Sequence, residues 1–272
     1  MSDKFQTGNQ KLWDEWTEIH IHSDFYDLES FKAGRCTLKS IEIEELGDVT
    51  GKTLLHLQCH FGLDTLSWAR LGAEVTGVDF SERAISFARQ LSNELKIPAN
   101  FVHSDIYELP GLLDGEFDIV FSSYGVLSWL PDLARWGEVI THFLKPGGTF
   151  YIVEFHPFFY VFDDSDDVEK LRVAYPYFET KKPLEIPVRG SYADRSARIS
   201  QAISYEWVHS MSEILNSLTS AGLRIEFLHE FPYSVHPQVP PLMVEGEDGW
   251  WRLKDARLDL PLMFSLRAVK LN

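Results

Sequence analysis

Three residues within five positions, His56, Cys59 and His60 in the stretch LLHLQCHFGLDT, carry side chains that ligate metals or move protons. A structural zinc site wants four ligands in paired Cys/His spacings, and no second pair follows, so no metal is expected. Two acids suggest different chemistry. Asp79 stands 17 residues beyond Gly62, where a carboxylate accepts two hydrogen bonds from a ribose diol or else caps the next helix. Asp105 is placed to accept from an adenine amino group, or is a turn aspartate.

The elements around these residues explain why they would meet. LLHLQC reads as a buried strand and LDTLSWARLG as a helix stopped by Gly72. EVTGVDF, NFVHSDI, FDIVFSSYG and TFYIVEF read as further strands. The helix SERAISFARQLSNELK follows the second strand, with Ser81 as its N-cap and Ile85, Ala88, Leu91 and Leu95 as its apolar stripe. Another helix spans about 132–144, and Ser210 opens a capped helix with Glu213 three residues on. LRIEFLHEF and LMFSLRAVK close the chain as an antiparallel edge hairpin. Strands alternating with helices in this way specify a doubly wound, mostly parallel sheet, seven-stranded with an antiparallel edge strand. Ligands bind such sheets beyond the carboxyl ends of the strands. Gln58, Cys59, His60 and Gly62 lie there, with Asp79, Phe80 and Ser81, then Asp105 and Ile106, then Ser122 and Tyr124, and finally Glu154 and His156.

Composition narrows the partners. Of 272 residues 44% are hydrophobic, enough for a large core, and the net charge is −16. No basic stripe offsets that field, so nucleic acid is not expected as a partner. Two cysteines build no disulfide framework, no apolar run is long enough for a membrane span, and the opening MSDKFQTGNQKLWDEW does not read as a signal peptide. The expected location is cytoplasmic. The aromatics around Trp250 and Trp251, read as exposed, offer a homodimer contact.

LLHLQCHFGLDT, GVDFS, HSDI, FDIVFSSYGVLSWL and FLKPGGTFYIVE, in that order, resemble the motifs of class I S-adenosylmethionine-dependent methyltransferases. The resemblance covers about 50–155, with 210–270 as the matching tail. The family's first motif usually reads Leu-Asp-Leu-Gly-Cys-Gly-x-Gly. Here His56 replaces the acid, Gln58 the first glycine and His60 the second, while Cys59 and Gly62 stand as usual. The resemblance implies a Rossmann-like methyltransferase fold with S-adenosyl-L-methionine as cofactor. It implies that Asp79 binds the ribose, Phe80 packs on the adenine, Asp105 and Ile106 hold its edge, and Ser122 lines the methionine side. Gln58 and His60 give up some of glycine's backbone freedom, and their side chains offer hydrogen bonds to the methionine end. Arg35 is a candidate clamp for the cofactor carboxylate.

Methyl transfer from a sulfonium needs in-line placement and sometimes one base. Candidate bases at the open end of the sheet are His156, His209, Tyr124 and Glu154. The expected organisation is one domain over 1–272. It comprises an N-terminal helical lid (1–48), the cofactor-binding core (49–156), an insertion (157–205) and a C-terminal part of the core (206–272) with a loop at 232–260. The expected activity is methyl transfer to a small-molecule substrate enclosed by these lids. The alternative is a protein that binds the nucleoside without catalysis. A nicotinamide-dependent oxidoreductase is disfavoured, because no G-x-G-x-x-G follows the first strand.

Overall fold

The computed structural model describes residues 2–271. The strands of its main sheet are β1 (Thr53–Leu57), β2 (Glu74–Asp79), β3 (Asn100–His103), β4 (Phe117–Ser123), β5 (Leu144–Phe155), β6 (Leu223–Phe231) and β7 (Met263–Lys270). They form one sheet in the order β3-β2-β1-β4-β5-β7-β6. The first five strands pair in parallel, and β7 runs antiparallel to both β5 and β6. LRIEFLHEF and LMFSLRAVK therefore pair as expected. The antiparallel strand sits one place inside the rim, because β6 takes the outermost position.

The helices are α1 (Ser2–His20), α2 (Leu28–Lys32), α3 (Ser40–Leu46), α4 (Leu63–Arg70), α5 (Glu82–Leu95), α6 (Leu133–Phe143) and α7 (Met211–Ser220). Strand alternation sends successive side chains to opposite faces, and both faces are covered. Leu55, Leu57, Val120, Phe150 and Ile152 meet Trp136, Ile140 and Phe143 of α6 and Leu218 of α7. Leu54, Phe121, Tyr151 and Val153 pack on the other face with Trp68 of α4 and Ile41 and Leu46 of α3. A further cluster joins Phe61, Leu66 and Phe101 to Ala84, Ile85, Ala88 and Leu91 of α5.

In the segment expected to form an N-terminal helical lid, α1 starts at Ser2. It crosses the carboxyl end of the sheet and is pinned to the insertion. Asn9 makes a two-way bond with the Tyr205 backbone (2.7 and 2.9 Å), and Trp16 donates its indole N–H to the Gly190 carbonyl at 2.8 Å. A β-carbon on Gly8 would come within 2.7 Å of the Tyr205 ring, so glycine permits that approach. The insertion carries an antiparallel pair, Leu184–Pro187 with Ile203–Glu206. Trp250 and Trp251 are half-buried rather than exposed. Trp250 packs on Tyr233 with ring centroids 4.8 Å apart, and Trp251 packs on the Phe159–Val239 cluster. Their apolar surface is partly used within the chain.

Candidate active site

The loop after β1 keeps a glycine-like path without the glycines. Gln58 (φ 58°) and His60 (φ 51°) are both left-handed, as is Gly62 (φ 83°), which begins α4. A non-glycine residue in that region costs roughly 1–2 kcal/mol, and two such residues in three mark stored strain. Four hydrogen bonds hold the loop in place. Cys59 N–H donates to the Val78 carbonyl (2.8 Å), His60 N–H to Asp79 Oδ2 (2.8 Å), Gly62 N–H to the Cys59 carbonyl (3.0 Å) and Gln58 Nε2 to the Val126 carbonyl (2.9 Å). Cys59 is buried against Gly77, where a β-carbon would lie 2.8 Å from its Sγ.

Asp79 is buried at the end of β2 and accepts from the amides of His60 and Ser81, each at 2.8 Å. Burial pushes its carboxyl up to about 6, and the two amides oppose that rise. It does not cap α5. Ser81 does, its hydroxyl accepting from Ala84 N–H at 3.1 Å while donating to Asp14 of α1 at 2.6 Å. Asp105 lies at the neighbouring strand end, accepting from Tyr107 N–H (2.9 Å) and from Gln6 of α1 (2.8 Å). The Phe80 carbonyl accepts from Gln10 of α1 at 2.7 Å. Ile106 is buried in the core on the α6 side. Ser122 is fully buried, and its hydroxyl has no partner among the described residues.

The candidate bases occupy varied settings. His156 is buried. Its Nδ1 accepts from Phe158 N–H at 3.1 Å, and its Nε2 faces Glu230 at 2.8 Å. His209 is buried beside α7, with Nε2 bonded to the Leu130 carbonyl (2.8 Å) and Nδ1 to Glu213 (3.1 Å), so both ring nitrogens are occupied. Glu154 accepts from the amides of Gly125, Val126, Leu127 and Phe155 and thereby shapes the turn after β4. Tyr124 adopts φ 38°, and its buried hydroxyl lies near Glu42, which burial raises to about 7. Arg35 is turned back on its own segment, donating to the carbonyls of Tyr26 (2.6 Å) and Asp27 (3.2 Å).

The loop, the acids and the strand order coincide with a known domain: residues 55–152 match the family model described as a methyltransferase domain. The match supports the resemblance to class I S-adenosylmethionine-dependent methyltransferases. The chain is 33% identical over 147 residues to the ubiquinone biosynthesis O-methyltransferase of Acinetobacter baylyi, covering 53% of this chain and 57% of the relative. The protein of the same name from Alkalilimnicola ehrlichii is 29% identical over 145 residues, covering 53% and 55%. The chain thus spans about half the length of the curated relatives it matches. Among solved structures, an S-adenosylmethionine-dependent methyltransferase from Mesorhizobium loti has a TM-score of 0.60 at 21% identity, covering 88% of this chain and all of that one. The glycopeptide N-methyltransferase MtfA complexed with S-adenosylmethionine has a TM-score of 0.54 at 16% identity, covering 85% and 91%. At these identities the likeness is one of fold.

The cofactor that the resemblance implies is S-adenosylmethionine, and the strand ends offer groups that fit it. Two carboxylates stand at successive strand ends. Gln58 Oε1 and Ser122 Oγ are buried polar atoms without a partner among the described residues. The place of the usual motif acid is taken by a neutral base. His56 is buried, lowered to about 3 by burial, and bonded through Nδ1 to Thr65 Oγ1 at 2.9 Å. An acid lies beside it on α4: Asp64 accepts from Ser123 Oγ at 3.1 Å and from Thr37 Oγ1 at 2.5 Å. Sequence reading missed Asp64, Glu42 and the whole inner face of α1. The four-residue spacing of Gln6, Gln10 and Asp14 was the available signal, since such residues share a helix face. Among the described residues, no three His, Cys, Asp or Glu side chains are grouped to hold a metal. A cavity of about 250 Å³, lined by Lys52, Asp118, Lys145 and Arg267, lies at the opposite end of the sheet, away from the carboxyl ends of the parallel strands.

Proposed function

We propose that this chain transfers a methyl group from S-adenosylmethionine to a small-molecule acceptor. The reading rests on one observation: Asp79 and Asp105 lie at adjacent strand ends, with the strained first loop tied to Asp79 by the His60 amide. Asp79 would hold the ribose diol, Asp105 the adenine edge, and Gln58 and Ser122 the methionine part. When bound, the cofactor supplies an electrophilic methyl on sulfonium. The protein's own residues bind it, align it and exclude water.

The curated relatives named as O-methyltransferases support a hydroxyl-bearing acceptor. The bonds from α1 to the insertion support a lid made jointly by 1–48 and 157–205 within one domain. The charge of −16 argues against a nucleic-acid substrate. Among the described residues no helix is long and apolar enough to cross a membrane, and we place the protein in the cytoplasm on its cysteine usage, with both thiols free.

A second reading is binding without catalysis. The replacement of two motif glycines by Gln58 and His60 favours it. Calorimetry with S-adenosylmethionine and S-adenosylhomocysteine, followed by turnover with labelled cofactor on metabolite pools, tests both. Absence of binding, or binding unchanged in Asp79→Ala, overturns the proposal; binding without turnover on any pool favours the second reading.

A further inference from the structure

His20 of α1 and His60 of the first loop are bonded through His20 Nδ1 and His60 Nε2 at 2.8 Å. His20 is fully buried, and burial lowers it to about 3; burial, then the neighbouring His20, holds His60 well below the usual histidine value. Both rings are therefore neutral near pH 7. In a neutral pair one ring donates the bridging hydrogen and the other accepts it. Whichever tautomer holds, the two outer nitrogens, His20 Nε2 and His60 Nδ1, are then one donor and one acceptor.

Both outer nitrogens are buried without a partner among the described residues, and so is the indole N–H of Trp13, whose ring centroid is 5.1 Å from that of His60. Buried polar atoms left unsatisfied in this way are costly unless polar groups meet them. The surrounding walls are largely aromatic. Trp16 stacks on His20 (6.0 Å), Tyr192 lies 4.6 Å from it, and Tyr26 lies 5.7 Å from His60. Tyr26 and Tyr192 bond to each other through their hydroxyls, and burial raises both. The outer wall is Phe25, 46% exposed and 5.7 Å from Tyr192.

We infer that the His20–His60 pair is the polar floor of the acceptor subsite, that it takes a hydroxyl group on a planar or apolar body, and that it accepts the hydroxyl's proton. A hydroxyl is at once donor and acceptor, so it suits a free ring nitrogen in either tautomer, whereas an ammonium can only donate and a carboxylate can only accept. The inference rests on the methyl-transfer reading. As the acceptor oxygen forms its bond to the methyl carbon, its O–H bond breaks and the proton passes to the free acceptor nitrogen. The carbon–sulfur bond of the donor breaks with its electron pair left on sulfur. The sulfonium's positive charge reappears on the histidine pair. The bridging hydrogen can then shift across, releasing a proton to water from the far nitrogen and exchanging the two tautomers.

The test is 15N-histidine NMR of the full chain with S-adenosylhomocysteine, titrated with phenol and, in parallel, with benzylamine and benzoate. Phenol is expected to shift the ring nitrogens of both His20 and His60, and the charged analogues to shift them less. His20→Phe is expected to bind S-adenosylhomocysteine as the wild type does and to lose the phenol response at His60. A wild-type titration in which phenol moves neither ring overturns the inference, and it decides even where the variant does not fold. A stronger response to either charged analogue, or a His60 response surviving in His20→Phe, also overturns it. A phenol response in a protein that binds no S-adenosylhomocysteine supports the hydroxyl subsite and overturns the methyl-transfer reading instead.

Discussion

His60 donates its backbone N–H to Asp79 Oδ2 at 2.8 Å, which ties the loop after the first strand to the acid at the end of the second. The two residues are 19 apart in sequence, and each conditions the other. The left-handed backbone at His60 brings the amide to the carboxylate, and the carboxylate helps hold a conformation that histidine rarely adopts.

Asp79 is expected to make cofactor affinity depend on pH. Its carboxyl, raised to about 6, is ionised above that value and neutral below it. The ionised form accepts a diol's two hydrogens better, so affinity for S-adenosylhomocysteine should fall as pH drops through 6. Asp79→Asn should bind on the order of 10- to 100-fold more weakly at pH 8 and show a flat profile. Calorimetry at pH 5, 6.5 and 8 measures both.

The strain at Gln58 separates two substitutions. Gln58→Ala loses the bond to the Val126 carbonyl and keeps a left-handed non-glycine residue. Gln58→Gly loses the same bond and relieves the strain. Urea denaturation should find the glycine variant more stable than the alanine variant by about 1 kcal/mol, the steric relief outweighing the extra freedom of the unfolded chain.

Glu154 should prove structural before it is anything else. Its carboxylate serves four backbone amides in the turn after β4. Glu154→Ala leaves those buried donors unmet and should cost about 3 kcal/mol or more in unfolding free energy. Glu154→Gln keeps an acceptor oxygen and should cost less.

His56 contributes to acid sensitivity. It stays neutral when folded, lowered to about 3, but titrates near 6.5 when unfolded. Below pH 6.5 the unfolded chain binds the extra proton, so this contribution to stability is complete above 6.5 and is lost as pH falls toward 3. Replacing His56 with Gln, which can still bond Thr65, should reduce the slope of stability against pH between 6 and 4 by up to about 1.4 kcal/mol per unit. Denaturant titrations of both proteins at matched pH give the difference.

The local grammar of the chain was largely legible. Apolar runs of strand length, helical stripes and caps such as Ser81 and Ser210 depend on residues a few positions apart, and they predicted the alternating elements of the core. The acids at the ends of β2 and β3 followed from that alternation. The loop after β1 was half legible. The replacement of glycine by Gln58 and His60 suggested lost freedom, but the positive φ values show that the neighbouring hydrogen bonds enforce the glycine path on other residues.

By itself, the sequence determined the order of strands and helices and the acids placed at the ends of β2 and β3, because hydrophobic periodicity and capping act over short distances. Tertiary structure alone decided that α1 lies across those strand ends, that His20 meets His60, that Tyr26 meets Tyr192 from 166 residues away, and that His209 spends both ring nitrogens on Leu130 and Glu213. Those pairings depend on how α1 and the insertion bury their surfaces against the core, a sum of long-range contacts that no local spacing encodes.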